Sequence, residues 1–305
     1  MAKLISIVVP TYYNSASLND LFDKLDKINE TLISLNVKME VIAVDDGSKD
    51  STPIDLKKFK EKITYLQVFE LTRNFGESTA AKFGLSKISG DAFIVLAADL
   101  QDPPELIIDM VKLWLDGYRY IVCEREKRHD PILTKFFAGV YYFFLTKYVI
   151  SNYPKKGFDL FLMDSKYLPV VIDSSKSSSV PLILTWIGID PKIIKYVRVE
   201  RVHGSSRWSF FKRVDLLLDV LFSFSRKPIR LVTTIGGVVA IGGLIFGLSV
   251  IIEKLTGSQV SQGTASLIAL VSFASGLILL TLGVIAEYIW RIWDEVNKRP
   301  NGIEK

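Results

Sequence analysis

The chain has 305 residues, room for one large domain or two modest ones at about 150 residues each. Apolar residues make up 49% and charged residues 23%, which excludes a disordered chain; with one cysteine, Cys123, and two histidines, His129 and His203, an internal disulfide and a Cys-rich zinc site are also excluded. Lys and Arg number 38 against 33 Asp and Glu, a formal charge of +5, and the mean hydropathy of +0.28 points to membrane segments. Strand and helix signals then alternate along the chain. The run 4–10 (LISIVVP) is too short for a signal peptide and reads as a strand. Leu18, Leu21, Leu25, Ile28, Leu32 and Leu35 follow at helical spacing. Strands are predicted over 39–48, 63–71, 92–99 and 118–123, and helices over 79–88 and 104–117, the latter opened by Pro104 and closed by Gly117. This order predicts an α/β domain on a mostly parallel sheet.

Ligands bind such sheets at the carboxyl ends of the strands. Two acidic pairs fall there, Asp45 with Asp46 and Asp99 with Asp102. Carboxylates at strand ends can hold a hard divalent cation together with phosphate oxygens, although Asp is also an ordinary turn residue.

The high hydropathy is concentrated in the last third. Residues 231–252 form an uncharged run of 22 residues. At about 1.5 Å per residue it reaches roughly 33 Å, enough for a bilayer core of about 30 Å. A second uncharged stretch follows a polar loop (256–264) and becomes apolar from Ala265. Gly236, Gly237, Gly242, Gly243 and Gly247 suit close helix packing in lipid. Arg226, Lys227 and Arg230 precede the first run, and Arg291, Lys298, Arg299 and Lys305 follow the second, which places both termini in the cytoplasm. Between Trp208 and Arg226, Phe210, Val214, Leu217, Leu221 and Phe224 line one helical face and Lys212, Asp215, Asp219 and Arg226 the other, as in a helix lying at the membrane surface. The apolar run 136–150 reads as a second such helix.

Several segments carry a resemblance when taken in order: VVPTYYN (8–14), VDDGSKDST (44–52), LTRNFGESTAA (71–81), ADLQDPPEL (98–106), CEREKR (123–128), GFDLFLMD (157–164), ERVHGSSRWS (200–209) and EYIWRIWDEVNKRP (287–300). Nearly the whole chain resembles the family 2 glycosyltransferases of GT-A (Rossmann-like) fold that act on polyprenyl phosphates, such as bactoprenol glucosyltransferases and dolichol-phosphate mannose synthase. The resemblance implies a cytoplasmic GT-A domain over 1–208, an interfacial helix over 209–228, a two-helix transmembrane hairpin over 229–290 and a cytoplasmic tail over 291–305. It implies that Pro10, Tyr12, Asn14, Asp45, Arg73 and Asp99 bind the nucleotide-sugar, with Asp46 structural. Asp99 and Gln101 would hold Mg²⁺ or Mn²⁺ on the donor diphosphate. Asp159 matches the catalytic carboxylate, orienting the acceptor rather than acting as a strong base. Arg125, Arg128, Arg201, Ser206 and Arg207 form the anion-binding set for donor and lipid phosphates.

Three departures stand out. Ala97 replaces the first aspartate of the D-x-D stretch, Ser15 a common glutamate, and 159–165 (DLFLMDS) lacks two arginines that many members carry. These put the sugar in doubt more than the reaction. The expectation is an inverting transferase at the inner membrane, moving a hexose from UDP-glucose to undecaprenyl phosphate. A homo-oligomer, up to a tetramer, is expected by resemblance. Donors such as GDP-mannose or UDP-GlcNAc, processive polymer synthesis, and a non-catalytic scaffold or flippase partner are the alternatives. Nucleic acid is not an expected partner: +5 is modest and no recognition motif accompanies it.

Overall fold

The computed structural model describes residues 2–126, 146, 153–154, 157–174, 179–199, 227–256, 263–296 and 302–305. They belong to two compact units, Met1–Asp215 with Pro300–Lys305, and Leu216–Arg299. In the first unit the chain runs β1 (Lys3–Thr11), α1 (Ser15–Ser34), β2 (Val37–Asp45), α2 (Thr52–Lys62), β3 (Leu66–Glu70), α3 (Glu77–Leu85), β4 (Ala92–Val95), α4 (Leu106–Leu115) and β5 (Tyr120–Arg125). It continues with β6 (Phe158–Asp164), the short helices α5 (Leu168–Ile172) and α6 (Val180–Trp186), and β7 (Lys192–Tyr196).

The strands form one sheet in the order β3-β2-β1-β4-β6-β5-β7. Pairs β1–β2, β1–β4, β2–β3 and β5–β7 are parallel, while β6 runs antiparallel to both β4 and β5. The sheet is therefore mixed but mostly parallel. The reversal of β6 matters for the chemistry: its first residues lie at the edge where the parallel strands end.

Helices cover both faces of the central strands, so their side chains are apolar without alternation. In β1 the five residues from Ile5 to Val9 are fully buried. The polar one, Ser6, donates to Glu40 at 2.6 Å, and Glu40 also accepts from the Ser89 amide and hydroxyl, so this buried cluster is internally satisfied. α1 forms because its apolar residues recur every three or four positions; Leu18, Leu21, Leu25, Ile28 and Leu32 are all buried against the sheet. Each such side chain contributes about 1.5–3 kcal/mol of transfer free energy. α1 stops before Asn36, which takes a left-handed φ of 57° and turns the chain into β2.

The second unit holds two long helices in contact with each other, α7 (Lys227–Leu255, 29 residues) and α8 (Thr264–Val296, 33 residues). Among the described residues one segment, Phe273–Trp293 in α8, is long and apolar enough to cross a bilayer. α7 contains a shorter apolar stretch, Val232–Gly243. Trp290 stacks on Trp293 at 4.9 Å, at the polar end of the α8 segment where amphipathic rings sit well at a membrane interface. A Cβ at Gly236, Gly237, Gly242 or Gly243 would meet nothing within 4 Å, so these glycines are not at a close helix contact among the described residues. The expected interfacial helix of 209–228 and the apolar run 136–150 fall almost wholly outside the described residues.

Candidate active site

The carboxyl ends of β1 and β2 build one half of the site. β1 ends in a tight loop in which Tyr13 takes φ 57°. The Tyr12 amide donates to Asn14 Oδ1 at 2.8 Å, and the Asn14 and Ser15 amides both donate to Thr52 Oγ1 at 3.0 Å. Asp45, the last residue of β2, is buried and accepts from the Ser48 hydroxyl at 2.5 Å and the Ser48 amide at 3.0 Å. Ser48 Oγ in turn accepts from the Tyr13 amide at 2.9 Å. Asp45 thereby organises the loop that carries Tyr12 and Asn14. Burial pushes its carboxyl pKa upward, against the opposing pull of the Ser48 hydrogen bonds.

Asp46 does a different job. It accepts from the amides of Phe75 at 2.7 Å and Gly76 at 2.9 Å, fixing the loop after β3. Its pKa is also raised, chiefly by burial. Arg73 sits on that loop with its guanidinium 4.4 Å from the Phe75 ring centroid. Gly47 lets the two loops touch. Its φ is +70°, and a Cβ there would lie 2.6 Å from the Arg73 carbonyl carbon.

The other half forms around the ends of β4, β5 and β7 and the start of β6. After β4 the chain passes through Asp99, Leu100 and Gln101; Leu100 is nearly buried yet takes φ 57°, a rare conformation for a bulky residue. The Gln101 amide donates to Asp99 Oδ1 at 3.2 Å, and the Gln101 carbonyl accepts from the Val199 amide at 3.1 Å. Asp159 is the second residue of β6 and half exposed. Between the pairs Val122–Phe161 and Glu124–Phe158, two residues of β6, Asp159 and Leu160, oppose the single Cys123 of β5. Such a bulge re-aims a side chain beside a functional site.

Asp159 forms an ion pair with Arg125 at the end of β5 and lies 3.5 Å from an Arg198 terminal nitrogen. Arg198 follows β7. Its Nε lies 3.5 Å from the buried Asp102, too far for a good hydrogen bond, and has no hydrogen-bond partner among the described residues. Asp102 is also hydrogen-bonded by the Tyr196 hydroxyl. Burial and then the nearby Arg125 charge lower the Arg198 pKa, opposed by Asp102 and Asp99. Two guanidinium groups and three carboxylates thus occupy one edge of the sheet. Among the described residues no group of three or more His, Cys, Asp or Glu is arranged to hold a metal ion.

The structure therefore gathers Tyr12, Asn14, Asp45 and Arg73 about the β1 and β2 ends, and Asp99, Gln101, Arg125 and Asp159 about the β4, β5 and β6 ends. Pro10 lies within β1, at its exit. Arg128, Arg201, Ser206 and Arg207 fall outside the described residues. Arg198, Tyr196 and the partnership of Asp102 with both were missed by sequence reasoning. The available signal was Arg198 itself, a cation three residues before Arg201 at the end of a short strand.

Comparison with known proteins places this geometry. The model of glycosyl transferase family 2 matches residues 6–160. The prophage bactoprenol glucosyl transferase homolog of Escherichia coli is 31% identical over 99% of this chain and 98% of its own length. The undecaprenyl-phosphate 4-deoxy-4-formamido-L-arabinose transferase of Photorhabdus laumondii is 28% identical over 98% and 92%. Among solved structures, a Pyrobaculum calidifontis mannosyltransferase in complex with GDP-Man and Mn²⁺ superposes with a TM-score of 0.50 at 16% identity, covering 95% of this chain and 88% of that one. That likeness is one of fold, the α/β GT-A arrangement. With a family model spanning half the chain and relatives near 30% identity along nearly all of it, the chain belongs to glycosyl transferase family 2.

Proposed function

We propose that the chain is a membrane-bound inverting transferase that moves a hexose from a nucleotide-sugar, UDP-glucose in the first instance, to polyprenyl phosphate. The observation that carries this reading is the convergence of Arg125 and Arg198 on Asp159, at the same sheet edge as Asp45 and Asp99. A phosphate entering there can compete with Asp159 for the two guanidinium groups, because forked donors suit phosphate oxygens. The names of the Escherichia coli and Photorhabdus laumondii relatives support a polyprenyl acceptor.

In this reading a phosphate oxygen attacks the anomeric carbon of the donor sugar, the bond from that carbon to the diphosphate breaks, and nucleoside diphosphate leaves. Asp45 and Arg73 hold the base end with Pro10, Tyr12 and Asn14. Asp159 orients the acceptor beside the arginines. The acceptor is already anionic near neutral pH and needs little deprotonation. Arg128, Arg201, Ser206 and Arg207 complete the anion set. Asp99 fits a hard divalent cation, since it offers carboxylate oxygen and the neighbouring Asp102 is already matched by Arg198 and Tyr196. Mg²⁺ or Mn²⁺ bound by Asp99 and Gln101 would stabilise charge on the leaving diphosphate, the remaining ligands coming from the donor. α7 and α8 act as a two-helix hairpin with both ends cytoplasmic, which keeps the site beside a lipid phosphate that cannot leave the bilayer. A homo-oligomer accompanies this arrangement.

A donor screen tests the proposal. Full-length protein in detergent receives undecaprenyl phosphate, a divalent cation and labelled UDP-glucose, UDP-galactose, UDP-GlcNAc or GDP-mannose in turn. Label passing into the organic phase only when lipid phosphate is present is the expected result. Transfer from another donor reassigns the sugar. No transfer from any donor, by folded protein that binds nucleotide, leaves the non-catalytic scaffold as the better reading.

A further inference from the structure

Residues 302–305 return to the catalytic unit after α8 and lie beside residues 70–72, at the exit of the edge strand β3. Leu71 and Glu304 form an antiparallel bridge. The Thr72 amide donates to the Ile303 carbonyl at 2.9 Å, and the Lys305 amide donates to the Glu70 carbonyl at 2.8 Å. The Lys305 ammonium reaches Glu70 at 2.7 Å. Gly302 packs closely enough that a Cβ would lie 3.1 Å from both Leu71 and Phe83. An exposed sheet edge normally offers unpaired amides and carbonyls; here the segment takes up the Glu70 carbonyl and the Thr72 amide at the end of that edge.

The bridged residues are those that enter the loop carrying Arg73. The Leu71 amide donates to the Asp45 carbonyl at 2.8 Å, Asp46 holds the Phe75 and Gly76 amides, and Gly47 lies against the Arg73 backbone. Residues 70–76 are thus gripped from two sides: by the end of β2 on one, and by the tail on the other. We infer that residues 302–305 are a positioning strand for the nucleotide pocket, fixing the 71–76 loop against Asp45 and Gly47. The inference rests on the assignment of Asp45 and Arg73 to the base end of the donor.

The test uses full-length protein in detergent with UDP as the probe, affinity by calorimetry and hydrogen exchange of peptides covering residues 70–76. Four variants are compared: deletion of 302–305, Lys305→Pro, Lys305→Ala and Asp45→Asn. Deletion weakens UDP binding about fivefold to tenfold and speeds exchange over 70–76, the scale expected for losing two backbone hydrogen bonds. Lys305→Pro removes one amide donor and follows in the same direction, which keeps the test intact if the deletion fails to fold. Lys305→Ala removes only an exposed ion pair and stays within about twofold of the parent. Faster exchange over 70–76 with unchanged UDP affinity in the deletion and in Lys305→Pro overturns the inference. Weaker binding in Asp45→Asn alone leaves the pocket assignment standing and the strand without a role. Normal binding in Asp45→Asn with weaker binding in the deletion removes Asp45 from the pocket and keeps the strand.

Discussion

At the scale of single residues, the site is a balance of charges that a ligand can redistribute. Asp159 is half exposed and faces two arginines, whereas Asp102 is buried and held by Arg198 and Tyr196. Arg198 therefore spans a buried carboxylate and a half-exposed one. Arg198→Ala is expected to raise the KM for lipid phosphate roughly tenfold to a hundredfold, the scale of a charge-assisted hydrogen bond, with a smaller change in the KM for nucleotide-sugar. Steady-state kinetics in both substrates checks this. Asp164, at the far end of the same strand, serves the fold alone. Burial works against its charge, but the Lys166 amide, Arg119 and the Trp114 indole outweigh that and hold its pKa below the ordinary value. A carboxylate with a depressed native pKa contributes its stability fully above the unfolded pKa, about 4, and loses it as the pH falls through the native value. Asp164→Asn is expected to flatten the acid limb of a thermal-unfolding profile below about pH 4, and a Tm series against pH reads this directly.

At the scale of elements, two loops beside the site hold backbone conformations that the strands do not. Tyr13 and Leu100 hold left-handed backbone where Asn or Gly is usual, each in a loop that carries candidate ligands. Gly47 combines a positive φ with backbone contact to Arg73. Gly47→Ala is expected to cost about 1–3 kcal/mol of stability through the backbone strain alone. Because the added methyl pushes on the 71–76 loop, nucleotide binding should fall by more than the stability loss explains. Denaturant unfolding and UDP titration of the same variant separate the two effects. An unchanged UDP affinity would show that the two loops need not touch. The bulge at Asp159 and Leu160 acts at the same scale: one extra residue in β6 sets the direction of Asp159 while Leu160 stays buried.

At the scale of the whole molecule, the catalytic unit has a large buried core and the helical unit, among the described residues, does not. The first buries the apolar residues of its central strands under helices on both faces, and the second exposes apolar residues along α8, where Leu279, Leu280 and Leu282 are each more than half exposed. An apolar helix surface of that extent calls for a cover, and the Phe273–Trp293 stretch is long enough for a bilayer to supply it. The protein is expected to stay in the membrane pellet through an alkaline carbonate wash that strips peripheral proteins. Release into the supernatant would rule out a bilayer span.

How far the sequence determined this protein follows from the range of the forces involved. Periodicity and turn chemistry are local, so β1, β2 and α1, the acidic strand end at Asp45 and the apolar stretch of α8 could be read directly from it. The alternating order also carried the mostly parallel sheet, and the ordered motifs carried the family. What the sequence left open depended on contacts between distant residues. β4 ends at Val95, short of the predicted run to 99, because the chain leaves the sheet to form the Asp99 loop. The antiparallel setting of β6 between β4 and β5 follows from pairing and not from any feature of 158–164, and it alone puts Asp159 beside Arg125. α2 and β7 are weak signals, since one is short and mostly polar and the other an exposed lysine-rich run; both take their place from the sheet they join. Arg198 gains its meaning only from the end of β7. The segment 302–305 has no strand signature, and tertiary structure alone decided that it pairs with residues 70–72 at the exit of β3, because that backbone supplies the hydrogen bonds that so short a segment cannot make by itself.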